Sequence, residues 1–171
     1  MGLNVDVILA VLAVVALSVY LLYRVRNGGR SLDAKDLVVS LDDVARVHDA
    51  VRDSTNIDVF AIFLVPYVQA QKDDGVPTVE FAVEDGVVGL DYVLLSKENV
   101  AKQGAFVDLA TSHGYEVVSH TLADVPYLRV EGGDLPNLMR ETLIYVFGVK
   151  HDDEMGIVLE GVDHVRLFST K

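Results

Sequence analysis

Apolar residues recur at helical spacing after residue 40 and predict that the folded part of the chain begins with a helix. Leu41, Val44 and Val51 share one face of that segment, since positions three and four apart lie on the same side of a helix. Ser40 followed by Asp43 has the spacing of a capping box, in which two side chains satisfy the first free amide groups. The sequence therefore predicts an amphipathic helix that ends near residue 56.

Three runs of β-branched and aromatic residues follow and predict strands. The first covers residues 57–71 and contains Pro66, which must fall at a bulge, a break or an edge because proline has no amide proton. Residues 78–84 alternate between apolar and polar side chains, as in a strand with one buried face. Asp85-Gly86 is a hairpin dipeptide, so residues 87–95 are predicted to return beside them.

The second half of the chain contains two more helix patterns with recognisable starting points. Ser96 caps a helix predicted to end near residue 112, and Asp134 begins one predicted to end near residue 148. Segments typical of strands lie between them, at residues 115–120 and 127–131. The apolar run 155–168 predicts a C-terminal β tail.

These elements have the order α-β-β-β-α-β-β-α plus the C-terminal tail. Antiparallel hairpins with helices on one face indicate a single α+β domain. We expect this domain to cover residues 40–171, with the tail at residues 151–171.

The N-terminal part of the sequence predicts a single transmembrane helix in front of this domain. Residues 7–23 contain no charge, and a helix of that length spans about 25 Å of a bilayer. Arg24 and Arg26 follow, so the positive-inside rule places the N-terminus outside and the domain in the cytoplasm. A cleaved signal peptide is the alternative, but no lysine or arginine precedes the run. We assign residues 1–26 to the anchor and residues 27–39 to a tether.

The net charge of the chain disfavours nucleic acid as a partner. Its 26 acidic and 14 basic residues give a net charge of −12, which repels a phosphate backbone. The sequence has no cysteine, and this excludes thiol redox chemistry and cysteine-ligated zinc. We therefore expect no nucleic-acid partner.

The densest group of potential metal ligands is the run from His151 to Glu154. Consecutive residues point in divergent directions, so His151 and Asp153 need a further ligand such as His164. A solvated acidic loop explains the same residues and is preferred, because the run lacks the spacing of a metal-binding motif. Neither G-x-S-x-G nor S-x-x-K occurs. We expect no metal, no cofactor and no catalytic residues.

Residues 40–150 also resemble a known family. The resemblance is carried by the order of the elements and by four segments. These segments are Tyr67-Val68-Gln69, Leu94-Leu95-Ser96-Lys97-Glu98, Gly114-Tyr115 and Leu143-Ile144-Tyr145-Val146-Phe147-Gly148-Val149. This part of the chain resembles the fold of type III secretion chaperones and the bacterial sensory-transduction-regulator and TY-chaperone-like families built on it. The resemblance implies protein binding, often through dimerisation, without a cofactor.

We therefore expect a membrane-tethered, cytoplasm-facing protein-interaction or chaperone-like module without catalytic activity. It would contact the bilayer through residues 7–23 and bind another protein or a second copy of itself. Aromatic residues supply much of the binding energy of interfaces, and the candidates are Phe63, Tyr67, Tyr92 and Tyr127. An ordinary place in the core is the alternative for each of them.

Two other function classes stay open. One is a membrane-anchored hydrolase or metal-dependent enzyme that uses the His/Asp-rich C-terminal tail. The other is an extracytoplasmic binding domain, which requires the opposite topology.

Overall fold

The computed structural model describes residues 37–56, 59–65 and 75–162 of the chain. These residues form one sheet, three α-helices and two short helical turns. In chain order the elements are β1 (Leu37–Val39), a 3-10 turn (Leu41–Asp43), α1 (Val44–Arg52), β2 (Phe60–Leu64), β3 (Thr78–Glu84), β4 (Val87–Val93), α2 (Lys97–Ser112), β5 (Val118–Leu122), β6 (Val125–Glu131), α3 (Leu135–Glu141), a π-helical turn (Thr142–Val146) and β7 (Met155–Glu160).

The strands pair antiparallel in the order β1-β7-β2-β3-β4-β6-β5. At its centre, β3 and β4 form a hairpin in which Glu84 pairs with Val87. Asp85 and Gly86 join these strands with φ angles of 50° and 79°, and a two-residue turn of the primed type requires such left-handed angles. The turn therefore sets the register of the hairpin on which the other strands assemble.

One face of the sheet, the helix-covered face, forms the main hydrophobic core. Phe81 and Leu90 of the central hairpin belong to the same buried cluster as Val47 of α1, Phe106 of α2 and Leu138 of α3. Burying each side chain of this size contributes about 1.5–3 kcal/mol.

The opposite face, called the second face below, carries the side chains that alternate with the core residues. They are Phe60, Ile62 and Leu64 of β2, Glu80, Ala82 and Glu84 of β3, Gly89, Asp91 and Val93 of β4, Tyr127, Arg129 and Glu131 of β6, and Val158 and Glu160 of β7.

Asn99 ties the start of α2 to the start of β3. Ser96 is the helix cap that the sequence predicts, and its hydroxyl oxygen accepts the Asn99 amide proton at 3.0 Å. The Asn99 side chain donates to the Thr78 carbonyl at 2.7 Å and accepts from the Thr78 amide at 3.3 Å. Tyr92 donates its hydroxyl proton to the Asn99 carbonyl at 3.0 Å. Because these groups are buried, the bonds replace hydration that folding removes.

The predicted fold class is wrong in its first element. The prediction places a transmembrane helix first, whereas no helix within the described ranges is long and apolar enough to cross a membrane. The predicted span, residues 7–23, lies outside the described residues. The first described element is strand β1, in a stretch assigned to the tether. Val39 is buried in the core and pairs with Met155 of β7, so Leu37–Val39 belong to the domain.

The predicted C-terminal strand is present as β7 (Met155–Glu160), the last described element in chain order. The sequence left open whether this tail packs on the domain; in the structure it lies inside the sheet, paired with β1 on one side and β2 on the other. Met155, Ile157 and Leu159 explain this position, because all three are buried in the main core. Residues 163–168 of the predicted run lie outside the described residues.

Replacing Asn99 by alanine should lower the free energy of unfolding by about 2–4 kcal/mol, because the buried groups of Thr78 and Ser96 lose their partners. Urea unfolding of the full chain measures this effect. The matched control is Asn137→Ala, since Asn137 has the same position after its cap, Asp134, but is exposed. We expect the control to change stability by less than about 0.5 kcal/mol. Equal effects of the two substitutions would contradict the role of the Asn99 side chain.

Candidate functional site

The aromatic residues proposed as a contact face lie mostly in the interior. Phe63 and Tyr92 are fully buried on the helix-covered face. Tyr127 is nearly buried on the second face, where its hydroxyl donates to the carboxylate of Glu84 at 3.0 Å. Tyr67 lies outside the described residues. The three described aromatics thus pack inside the domain and do not form an exposed surface.

The candidate metal ligands do not converge in the part of the chain that the structure describes. The His151 ring is 79% exposed and lies 3.8 Å from the carboxylate of Asp42. Asp153 instead accepts the backbone amide proton of Lys150 at 2.8 Å, which closes a turn. His164 lies outside the described residues. No group of three or more potential ligands among the described residues could hold a metal ion.

A row of buried charged residues runs across the three neighbouring strands β3, β4 and β6 on the second face. Glu80 pairs with Asp91 in the register of β3 and β4, and Asp91 pairs with Arg129 in the register of β4 and β6. None of the three is more than 2% exposed. Removing a charge from water costs several kcal/mol unless partners compensate for it. The ionic row is therefore stable only if hydrogen bonds and opposite charges compensate for the lost hydration of its members.

The guanidinium of Arg129 holds the ionic row together. Its Nη1 donates to both carboxylate oxygens of Asp91, at 2.8 and 2.9 Å. Its Nε donates to Glu131 at 2.6 Å, and its Nη2 donates to the carbonyl of Val87 at 3.0 Å. Arginine has five donors in a planar fork. All three of its nitrogens find acceptors here, and one of these acceptors lies at the start of β4.

Gly89 provides the space that the guanidinium occupies. A β-carbon at this position would lie 2.4 Å from Cζ of Arg129 and 2.7 Å from both terminal nitrogens. Ala82, another small residue, pairs with Gly89 in the register of β3 and β4. The two positions form a trough on the second face, and the charged group lies in it.

Burial and neighbouring charges shift the pKa values of the ionic row. Burial raises the pKa of the Asp91 carboxyl well above its usual range, and the charge of Glu80 raises it further, against the opposing effect of Arg129. Burial acts to lower the pKa of Arg129, but Asp91, Glu131 and Glu84 outweigh it, so the guanidinium stays charged. The carboxylates of Asp91, Glu131 and Glu84 thus lie around the Arg129 guanidinium, and Glu80 acts on Asp91.

An exposed apolar turn lies on the helix side of the domain. In the π-helical turn after α3, Ile144 is 39% and Tyr145 is 73% exposed. The next aromatic, Phe147, stacks on Tyr92 at 5.8 Å between ring centroids, and the Lys102 ammonium lies 5.5 Å from its centre. These contacts fix the turn from the inside, so it holds two large apolar side chains towards solvent.

Sequence reasoning missed the ionic row because each of its members has an ordinary local pattern. Glu80 belongs to the polar set of an alternating strand, which predicts a solvated face. Asp91 and Arg129 each interrupt an apolar run. The sequence pattern that could have indicated the ionic row is the combination of its members. One charged residue lies on the same face of each of the neighbouring strands β3, β4 and β6, and Gly89 precedes Asp91 by two residues.

Replacing Gly89 by alanine should displace the Arg129 guanidinium and lower the free energy of unfolding by about 2–4 kcal/mol, since a broken buried ion pair leaves uncompensated charge. The matched control is Gly104→Ala on α2, where an added β-carbon meets nothing within 4 Å. Alanine favours a helix over glycine, so the control should raise stability by about 0.5–1 kcal/mol. Chemical denaturation measures both. A neutral Gly89→Ala variant would show that the guanidinium does not need this space.

Comparisons of the chain with protein-family models, with curated proteins and with solved structures find no match. The resemblance to type III secretion chaperones therefore stays a prediction. The feature that bears on function is the exposed apolar turn at Ile144 and Tyr145.

Proposed function

We propose that this chain is a protein-interaction module of a chaperone-like kind, held at a bilayer with its domain on the cytoplasmic side. The observation that carries the proposal is the exposed pair Ile144 and Tyr145 on a fixed turn. Exposed large apolar side chains that adjoin one another are typical of interaction sites. Tyrosine is among the residues that supply most of the binding energy at protein interfaces.

The surroundings of the turn support a contact with another protein. Leu143 and Val146 on either side of the exposed pair are buried, so Tyr145 is presented at little cost in conformational freedom on binding. Helix α2 packs beside the turn. Its exposed positions include Val100, Ala101, Gly104 and Ala105, and their short side chains allow a partner to approach closely.

A second copy of the chain is the proposed partner. The resemblance to the chaperone families implies dimerisation, and an isologous dimer uses the same patch on both subunits. With a net charge of −12 per chain, two copies repel each other over most of their surface. A patch without charged residues, such as Ile144-Tyr145, is where this repulsion is weakest.

The bilayer part of the proposal is supported by sequence alone. Residues 7–23 are uncharged and Arg24 and Arg26 follow them, a pattern that favours bilayer attachment with the domain in the cytoplasm. The enzyme alternative required His151, Asp153 and His164 to act together. The two described members make separate contacts in an exposed turn, and no observation favours this alternative.

Replacing Tyr145 by serine should weaken self-association about tenfold or more, because a central aromatic contact is lost. Cross-linking of the full chain in isolated membranes, followed by sedimentation after solubilisation, measures this association. The matched control is Val118→Ser, a comparably simple loss of an exposed apolar residue on β5, which should leave association unchanged. Circular dichroism checks that both variants are folded.

Three outcomes would count against the proposal. A monomeric wild-type chain, or association that survives Tyr145→Ser, would remove the dimer and its contact face. Recovery of the chain outside the membrane fraction would remove the bilayer attachment.

A further inference from the structure

Strand β5 (Val118–Leu122) forms one outer edge of the described sheet, and its only strand partner among the described residues is β6. An outer strand presents one row of backbone amide and carbonyl groups away from the sheet. The residues of β5 that carry this row can be identified from the turn that joins β5 to β6.

The turn between β5 and β6 determines the hydrogen-bonding pattern of the hairpin. Ala123 and Asp124 form a two-residue turn with φ angles of 49° and 67°, as a turn of the primed type requires. The residues that flank such a turn, Leu122 and Val125, pair in the register of the two strands and exchange backbone hydrogen bonds.

The next pair, Thr121 and Pro126, is therefore not hydrogen-bonded, because the two kinds of pair alternate along an antiparallel ladder. Pro126 has no amide proton, and its carbonyl accepts from the amide of Leu94, directly after β4, at 2.9 Å. The backbone amide and carbonyl of Thr121 thus point away from β6. Those of Ser119, two residues earlier, point the same way.

β5 has none of the features that normally keep an edge strand from pairing, which are bulges, prolines and charged side chains such as lysine. Its five residues include no proline, lysine, arginine, aspartate or glutamate, and its register with β6 advances one residue at a time. Ser119 and Thr121 are exposed, and Val118 is 43% exposed. The edge is thus open to an added strand.

The residues just beyond the two ends of β5 indicate the charge of the strand that fits. Glu116 lies two residues before β5 and Asp124 lies two residues after it, and both are exposed. Opposite charges on neighbouring strands stabilise their pairing. A partner strand with a basic residue at each end therefore complements this edge.

A second copy of β5 fits the edge less well. When two copies pair antiparallel through their outward groups, Ser119 of each copy lies opposite Thr121 of the other. In the same register Glu116 of each copy is opposite Asp124 of the other, so like charges meet at both ends and destabilise the pairing. The occupant that fits is therefore a segment of a different protein.

We propose that the outer edge of β5 binds an extended segment of another protein, rich in β-branched residues and with a basic residue at each end. The segment adds to the sheet as a strand and hydrogen-bonds to the backbone of Ser119 and Thr121. Its basic ends lie beside Glu116 and Asp124. This binding goes beyond the self-association proposed at Tyr145 and does not depend on it.

The probe for this edge is a fluorescent synthetic peptide, KVTVTVK with blocked ends, whose binding to the solubilised full chain is measured by anisotropy. One control peptide, EVTVTVE, reverses the charge of both ends. The other is KVTVTVK with N-methyl groups on its five central residues, which keeps the charges but cannot donate hydrogen bonds from those residues. Each control should bind about tenfold more weakly or less, because it loses the charge match or the strand pairing.

Substitutions in the chain test the same two contributions. Thr121→Pro removes an outward amide without removing a hydrogen bond to β6, and should weaken binding of the lysine peptide about tenfold. Its matched control, Thr121→Val, keeps the amide and should bind as the wild type does. Combining Glu116→Gln with Asp124→Asn should abolish the preference for lysine over glutamate ends. Tyr145→Ser should leave peptide binding unchanged.

Three results would overturn the proposal. A folded wild-type chain that does not bind the lysine peptide would show that the edge is not available. Equal affinity for the N-methylated peptide would show attraction by charge without strand pairing, and equal affinity for the glutamate peptide would remove the basic partner.

Two further points keep the test decisive. If Thr121→Pro fails to fold by circular dichroism, the N-methylated peptide still tests strand pairing on the wild-type chain. A monomeric wild-type chain that binds the lysine peptide would contradict the self-association proposed at Tyr145 and support the proposal for β5, so the two failures are distinguishable.

Discussion

The ion pair between Arg129 and Asp91 joins β6 to β4, with donor and acceptor 2.8 Å apart and both residues buried. A buried guanidinium must find acceptors for its donors, and here they come from three strands: Asp91 and Val87 of β4, Glu131 of β6, and the nearby Ala82 carbonyl of β3. Removing any one of these contacts leaves charge without compensation in a medium of low polarity. The packing of β3, β4 and β6 therefore depends on the Arg129 side chain.

This constraint explains why the domain is built with two different sheet faces. The helix-covered face is apolar and stabilises the fold through burial, as Phe81, Leu90 and Val47 show. The second face combines a small apolar cluster, formed by Phe60, Ile62 and Ala82, with the buried ionic row. The exposed turn at Tyr145 lies on the helix side and serves the separate proposal of self-association.

How far the sequence predicts this structure depends on whether a feature is local. The caps at Ser96 and Asp134 and the turn at Asp85-Gly86 are confirmed, because each is determined within four residues. The insertion of β7 between β1 and β2 joins segments more than 90 residues apart, and no local pattern contains that pairing. Tyr92 was predicted as a contact residue, yet it is buried between Phe106 and Phe147. Its burial depends on where two helices pack, which periodicity within one strand does not determine.

A double-mutant cycle on Asp91 and Arg129 tests the central claim most directly. The variants Asp91→Asn, Arg129→Gln and their combination are compared with the wild-type chain by chemical denaturation. Each single substitution should cost about 3–5 kcal/mol, because it leaves its partner buried and uncompensated. The double substitution should cost less than the sum of the two, with a coupling energy of about 2 kcal/mol or more. Costs that add to within about 0.5 kcal/mol would show that the two residues do not depend on each other, and would contradict this account of the sheet.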